Sequence, residues 1–189
     1  MSKRLFVGLE IPESCQQILA DLDPGIKGVR WLPPEQIHLT MSFLGEVPRS
    51  EETKVREALS EVHVPPFFLP IEGVGSFGGG RPSVVWAGVG RGHPHLFALH
   101  KHIQDALLRA GLTPDLRPFH PHITIGRVKG VSGAMLQPFL RKHAGSEFGL
   151  WQVTGFTLFS SVLTMEGAIH RVEMRRDFAA ATAEQAAHA

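Results

Sequence analysis

Apolar and polar residues alternate along several segments of the chain, and this alternation predicts strands. The clearest case places Ile37, Leu39, Met41 and Phe43 between polar residues, ahead of a turn at Gly45. Strands are also predicted over residues 4–10, 67–77, 83–89 and 122–125. Two long strands are predicted near the end, over residues 151–162 and 168–174, joined by a turn at Glu166-Gly167.

Other segments repeat their apolar residues three or four positions apart, which is typical of amphipathic helices. These helices are predicted over residues 12–22, 50–62, 96–110 and 132–142. Ser50 is a candidate N-cap, the last helix is expected to start at Ser132, and Gly111 is a candidate C-cap. Gly78-Gly79-Gly80 is a candidate hairpin turn, since it lacks the lysine and following helix of a phosphate-binding loop.

The helices and strands mix without a regular βαβ rhythm, which favours an α+β fold with antiparallel sheets. The order helix, strand with His-x-Thr, helix and two further strands occurs twice, so we expect two pseudo-symmetric halves. We predict one domain over residues 1–178 built of two interleaved lobes. Residues 179–189 are rich in alanine and predict a disordered tail.

Composition narrows the class of protein. Cys15 is the only cysteine, which excludes an intramolecular disulfide and a multi-cysteine zinc site. The apolar run before Glu10 and Pro12 is too short for a signal sequence or a membrane span. We therefore expect a cytoplasmic protein with no membrane partner. A net charge of +1 gives no global field for nucleic acid, although a local basic cleft is compatible with it.

Two short motifs carry candidate chemistry. His38-Leu39-Thr40 and His122-Ile123-Thr124 each set an imidazole beside a hydroxyl on one strand face, because side chains two apart point the same way. Two such pairs across a cleft suit in-line cleavage of a phosphoester. One histidine serves as base and the other as acid, and the hydroxyls stabilise the phosphoryl oxygens. On spacing alone, two solvent-facing edge-strand histidines explain the same pattern.

Other aromatic and histidine residues fit ordinary structural roles. His120 and His122 are two apart, but Pro121 lies between them and no carboxylate cluster is near, which disfavours a metal site. The histidines of the predicted helix 96–110 and of the residues just before it are expected on a solvated surface. Trp86 and Trp151 are predicted to lie in the core.

The order and content of several stretches resemble one family. Similar stretches are residues 4–12, 37–47 (IHLTMSFLGEV), 84–89, 117–127 (RPFHPHITIGR) and 156–161. On these stretches the chain resembles the two-histidine (2H) phosphoesterase superfamily, and within it the RNA 2′,3′-cyclic phosphodiesterases, also called the 2′-5′ RNA ligase family. The resemblance covers nearly all of residues 4 to 175.

The resemblance implies a bilobal α+β fold whose antiparallel sheets form a V-shaped cleft. It implies opening of a 2′,3′-cyclic phosphate to a 2′-phosphate, with reverse ATP-independent 2′-5′ ligation, and neither metal nor cofactor. His38 and His122 become the acid–base pair, and Thr40 and Thr124 the phosphate donors. We favour His38 as acid and His122 as base, although the near symmetry of the motifs leaves the order open.

Two further site residues are implied more weakly. In the family an arginine five residues after the second histidine is similar to Arg127, as a ligand of phosphate or base. Simple alternation turns Arg127 away from His122 unless Gly126 supplies a bulge. Phe43 has the same offset from His38, and is either a base-stacking residue or one more core residue of its strand.

The expected partner is RNA with a 2′,3′-cyclic phosphate end, tRNA fragments included, or a small cyclic nucleotide, and the expected state is a monomer. Three rival functions stay open: a 2H esterase of small cyclic nucleotides, a non-catalytic RNA-binding module and a metal-dependent phosphoesterase. Substrate trials, turnover by histidine variants and chelator resistance distinguish them.

Overall fold

A computed structural model describes residues 2–90, 92–115, 117–164 and 167–178. The strands in this part of the chain are β1 (Ser2–Glu10), β2 (Val29–Trp31), β3 (His38–Pro48), β4 (Phe67–Phe77), β5 (Val84–Val89), β6 (His122–Val128), β7 (Glu147–Val153), β8 (Gly155–Thr164) and β9 (Gly167–Asp177). The α-helices are α1 (Glu13–Ala20), α2 (Glu52–Ser60), α3 (Pro94–Arg109) and α4 (Gly133–His143). Short 3-10 helices span Pro34–Gln36 and Arg49–Glu51.

All of these strands belong to one antiparallel sheet with the order β7-β4-β5-β6-β3-β1-β8-β9, and β2 pairs with β6. The first four strands of this order make one half of the sheet and the last four make the other. The halves meet between β3 and β6 through a single register pair, Leu39 opposite Ile123. The sheet curls into a half-barrel, and the two halves wall the cleft that the resemblance implied. The predicted α+β class is therefore confirmed.

One face of the sheet is covered by the helices. Leu39 and Ile123 are both fully buried on this face, and apolar residues of all four helices join them in one core. Burial of a leucine or isoleucine of this kind contributes about 1.5–3 kcal/mol, which fixes which face of each strand points inward. The polar residues next to these two in sequence, His38 and Thr40 on β3 and His122 on β6, therefore point to the opposite face, which lines the cleft.

The helices and strands begin and end close to where the sequence places them, with three exceptions. The predicted long strand 151–162 is two strands, because it is interrupted at Thr154, and β7 and β8 lie in opposite halves of the sheet. Ser50 lies in a 3-10 turn, so it does not cap α2, whereas Ser132 does occupy the N-cap position of α4. Strand β2 was not predicted.

The β4–β5 hairpin confirms the turn at Gly78-Gly79-Gly80. Glu166 and the tail 179–189 lie outside the described residues. No helix in the part of the chain that the structure describes is long and apolar enough to cross a membrane.

Candidate active site

The join between the two halves of the sheet brings the His-x-Thr motifs together. With Leu39 opposite Ile123, the antiparallel register sets Thr40 opposite His122 and His38 opposite Thr124. These four side chains share the cleft face. The two histidines thus occupy diagonal positions, where backbones are about 7–8 Å apart, and the threonines occupy the other diagonal. Both imidazoles and both hydroxyls therefore border the same stretch of the cleft face.

Both imidazoles are held in the same way. Nδ1 of His38 lies 2.9 Å from the carbonyl oxygen of Gln36, and Nδ1 of His122 lies 2.6 Å from that of His120. A carbonyl only accepts, so Nδ1 carries the proton in each ring and donates it. Nε2 is then the nitrogen left for chemistry. It has a lone pair when the ring is neutral and a proton to give when the ring is charged.

A β-bulge follows each histidine at the same offset. In β3, Val7 pairs with Ser42 while Gly8 pairs with Thr40, so Met41 is the extra residue. One extra residue reverses the later alternation, so Phe43 faces the cleft with 44% of its surface exposed. Phe43 is therefore not one of the core residues of its strand.

The corresponding bulge in β6 has Ile125 as its extra residue. Val85 pairs with Gly126 while Trp86 pairs with Thr124, so Arg127 turns to the face of His122. The bulge that the sequence required for an inward Arg127 is thus present. The positive charge of Arg127 also lowers the pKa of both His38 and His122, which places the guanidinium within electrostatic reach of the pair.

Aromatic rings enclose His38. Phe6 packs at 5.1 Å between ring centroids, Phe159 stacks on Phe6, and His170 meets His38 edge-on at 5.1 Å. This burial, followed by the charge of His170, lowers the pKa of His38 to about 4, although the bond to Gln36 raises it. At neutral pH His38 is consequently unprotonated in the ligand-free protein.

The ring of His122 is less enclosed by aromatic side chains than the ring of His38. The edge of Phe77 contacts its ring at 4.8 Å between centroids. Burial lowers the pKa of His122, and Arg127 adds to this, while the bond to the carbonyl of His120 raises it. The shift is smaller than that of His38, so His122 takes up a proton more readily than His38 does.

Among the described residues, three cavities adjoin one or the other histidine. The Trp86 cavity (about 570 Å³) is lined by Trp86, Phe77, Phe119 and His122, with Glu72 and Glu147. The Phe43 cavity (about 420 Å³) is lined by Phe43, Thr40, His122, Phe119, His100 and Arg117. The His170 cavity (about 520 Å³) adjoins His38, His170 and Phe159. Two of the three cavities therefore reach His122, and one reaches His38.

Several residues of this site were not found from the sequence, and two expectations about it are wrong. His170 lies 132 positions after His38, and no local spacing links them. His100 is half-buried against Phe119 instead of solvated. Trp86 is half-buried and lines a cavity, whereas Trp151 is in the core as predicted. The aromatic content of β1 and β4 was the available signal for Phe6 and Phe77.

The fold and the site together define a class. A curled antiparallel sheet that joins its two halves between paired His-x-Thr motifs is the two-histidine arrangement that the sequence resemblance implied.

Comparison with known proteins defines the family more closely. The sequence profile of the 2′-5′ RNA ligase superfamily matches residues 12–162. An Archaeoglobus fulgidus protein named RNA 2′,3′-cyclic phosphodiesterase is 36% identical over 89% of this chain and 96% of its own length. An Aquifex aeolicus protein of the same name is 34% identical over 89% of this chain and 94% of its own. The chain belongs to the 2′-5′ RNA ligase superfamily, and the expected recognition is confirmed.

Solved structures agree with this assignment. TT0787 of Thermus thermophilus superposes with a TM-score of 0.79 at 26% identity, covering 95% of this chain and all of that one. Escherichia coli LigT complexed with 3′-AMP superposes with a TM-score of 0.77 at 26% identity, covering 94% of this chain and 99% of LigT.

Proposed function

We propose that this protein hydrolyses the 2′,3′-cyclic phosphate at RNA ends to a 2′-phosphate, with His38 and His122 as its acid–base pair. The observation that carries the proposal is the single register pair that sets the two His-x-Thr motifs diagonally on one face. The curated relatives carry the name of this enzyme, and LigT was crystallised with a nucleotide, 3′-AMP. Cyclic phosphate hydrolysis is the activity that site and relatives share.

The reaction needs a base that takes a proton from the attacking water and an acid that gives a proton to the leaving 3′-oxygen. A neutral Nε2 accepts a proton from water as the water oxygen attacks phosphorus opposite the 3′-oxygen. The bond from phosphorus to the 3′-oxygen breaks, and the second histidine, protonated at Nε2, gives its proton to that oxygen. The product has a 2′-phosphate and a 3′-hydroxyl. In the 2′-5′ ligation a 5′-hydroxyl takes the place of water. Its oxygen attacks the phosphorus of the cyclic phosphate and loses its proton to the base, the bond from phosphorus to the 3′-oxygen breaks, and the acid protonates that oxygen, so that a 2′-5′ phosphodiester and a 3′-hydroxyl form.

The neighbouring residues stabilise charge. The hydroxyls of Thr40 and Thr124 lie on the second diagonal and donate to the non-bridging oxygens, where negative charge grows. Arg127 supplies a cation on the same face. Phe43 offers a partly exposed ring to a base.

The pKa directions bear on the order of the two roles. The pKa of His38, lowered to about 4, leaves the ring in the neutral state that a base requires, and the pKa of His122 is lowered by less. This favours His38 as base and His122 as acid, the reverse of the order favoured from the sequence. A bound phosphate anion raises the pKa of both rings, which helps His122 to be protonated in the complex.

The first experiment is turnover of a short RNA ending in a 2′,3′-cyclic phosphate, with and without EDTA, with the phosphate position assigned by phosphorus NMR. A 2′-phosphate product supports the proposal. Loss of activity in EDTA would favour a metal-dependent phosphoesterase. A 3′-phosphate product would keep two-histidine chemistry but reverse the orientation of the substrate in the cleft. No turnover in either condition would favour a small cyclic nucleotide as the substrate, or the binding module.

The histidine variants complete this test. His38→Ala and His122→Ala each lower turnover about 100-fold or more, as loss of a general acid or base does. His102→Ala, at an exposed position of α3, is the matched control and retains activity. Equal activity of all three variants would contradict paired-histidine catalysis. Cytoplasmic location and a monomeric state remain predictions.

A further inference from the structure

The Phe43 cavity extends the site away from the two histidines. It starts at Thr40 and His122 and lies where β3 and β6 separate beyond the Leu39–Ile123 pair. At about 420 Å³ it is within the range of small-ligand sites in proteins. It is therefore continuous with the proposed reaction centre and large enough for more than water.

The walls of the Phe43 cavity are largely aromatic. The ring of Phe119 lies parallel to that of His100, with 4.0 Å between centroids and 7° between planes, and Phe97 supports it edge-on. The partly exposed ring of Phe43 belongs to the same cavity. Flat aromatic walls of this kind suit a nucleobase, because every base has a face that stacks.

A fixed cation stands at the rim. Nε of Arg117 lies 2.9 and 2.8 Å from the two carboxylate oxygens of Asp115. The backbone of Asp115 is held in turn, since its N–H donates to the carbonyl of Phe43 at 3.0 Å and its carbonyl accepts from Gln104 at 3.0 Å. Because Arg117 uses Nε and Nη2 toward Asp115, Nη1 points away from the carboxylate. A pre-oriented guanidinium of this kind matches a phosphate.

The Trp86 cavity differs in charge. It also adjoins His122, but Glu72 and Glu147 are on its lining, with no lysine or arginine among its described lining residues. Carboxylates repel a phosphodiester and accept hydrogen bonds from base amino groups. The Phe43 cavity also has a carboxylate on its lining, that of Asp115, but this carboxylate is paired with Arg117. Of the two cavities beside His122, the Phe43 cavity is therefore the one whose described lining offers a cation to a backbone phosphate.

We propose that the Phe43 cavity binds the nucleotide that precedes the cyclic-phosphate nucleotide, with its base against Phe43 and Phe119 and the linking phosphodiester at Arg117. The proposal rests on the proposed function. It deepens that function, because a mononucleotide cyclic phosphate has neither the extra base nor the phosphodiester. RNA ends are then better substrates than free cyclic nucleotides.

The test compares kcat/KM for a dinucleotide and a mononucleotide, both ending in a 2′,3′-cyclic phosphate on adenosine. The wild-type protein is expected to favour the dinucleotide by about fivefold or more, the lower end of what one stacked base contributes. Arg117→Gln and Phe43→Leu each bring this ratio toward one. Arg49→Gln removes the same charge at an exposed position beyond the far end of β3 and keeps the ratio.

Three results overturn the inference. One is a wild-type ratio near one. Another is a ratio that Arg117→Gln and Phe43→Leu leave intact. The third is an equal fall in kcat/KM for both substrates in the two variants. This result would place Arg117 and Phe43 in the site of the terminal nucleotide or give them a purely structural role. Urea unfolding of each variant identifies one that is merely unstable.

A binding measurement separates this inference from the proposed function. Calorimetry compares 2′-AMP with a dinucleotide that ends in the same 2′-phosphate. Tighter binding of the dinucleotide, lost in Arg117→Gln, supports the cavity even if the wild-type protein turns over nothing. Equal binding of the two ligands refutes the cavity even if both cyclic substrates are hydrolysed.

Discussion

The enclosure of His38 predicts a pH-dependent loss of stability. Burial, and then the charge of His170, lower the pKa of His38 from 6.5 to about 4 in the folded protein. The unfolded chain therefore binds a proton at this ring, between pH 6.5 and pH 4, that the folded protein excludes. Where the unfolded state binds more protons, stability rises with pH. The folding stability that depends on a neutral His38 is thus fully present above pH 6.5, and it is lost as pH falls toward 4.

The size of the effect follows from the two pKa values. One pKa unit corresponds to about 1.36 kcal/mol, so the gap of about 2.5 between them gives about 3 kcal/mol in all. Between pH 7.5 and pH 5, where the unfolded ring is almost fully protonated, about 2 kcal/mol of this is lost. That is a large fraction of a typical folding free energy of about 5–15 kcal/mol.

The assay is urea unfolding of the wild-type protein and of His38→Gln at pH 7.5 and pH 5. Glutamine keeps much of the side-chain volume but does not titrate. The wild-type protein should lose about 2 kcal/mol more than the variant between these pH values. His102→Gln, exposed on α3, should lose as much as the wild-type protein. If wild type and His38→Gln lose equal amounts, His38 is not held neutral and the assignment of its role as base fails.

Further predictions test the neighbours of the pair. Arg127→Gln should lower kcat/KM about tenfold and move the acidic limb of the pH–rate profile to higher pH, because the charge of Arg127 lowers the pKa of both histidines. An unchanged profile would contradict the position of Arg127 in the cleft. His170→Asn should raise the pKa of His38 in an NMR titration, since it removes the second-largest cause of the shift; a lower value would refute this. Gly88→Ala should destabilise the protein by about 1–3 kcal/mol in urea unfolding, because its Cβ would lie 2.5 Å from the carbonyl oxygen of Glu72. Gly80→Ala, with open space around it, is the control and should change little.

The sequence could predict most of the elements, because their periodicity is local. Alternation around His38 identified β3, and the apolar repeat before Gly111 identified α3. The break at Thr154 could not be predicted, since residues on both sides favour strands and only the sheet order separates β7 from β8. The short strand β2 forms because β6 has an edge beyond Ile123 that β3 does not cover.

The candidate site was predictable in part for the same reason. Two residues of each motif share a face by simple alternation, but the positions of Phe43 and Arg127 depend on bulges that appear only in the cross-strand register. His170 and His100 reach the cleft through β9 and α3, far away in sequence, so their roles depend on tertiary packing. Their residue type alone gave no signal.

The two half-sites have the same backbone geometry and different surroundings, and this difference is what acid–base chemistry requires. Two equivalent histidines that share one phosphate would titrate as a pair, with neither committed to the base or the acid role. Here each ring donates Nδ1–H to a carbonyl two residues earlier, and each strand bulges three residues after its histidine. The surroundings differ, however, because Phe6 and His170 lie against the ring of His38, whereas the edge of Phe77 contacts the ring of His122. These neighbours separate the two pKa values in a way that the near-symmetric motifs cannot. We therefore attribute the proposed division of labour between the histidines to the packing around them, and exchanging His170 should alter it before it alters the fold.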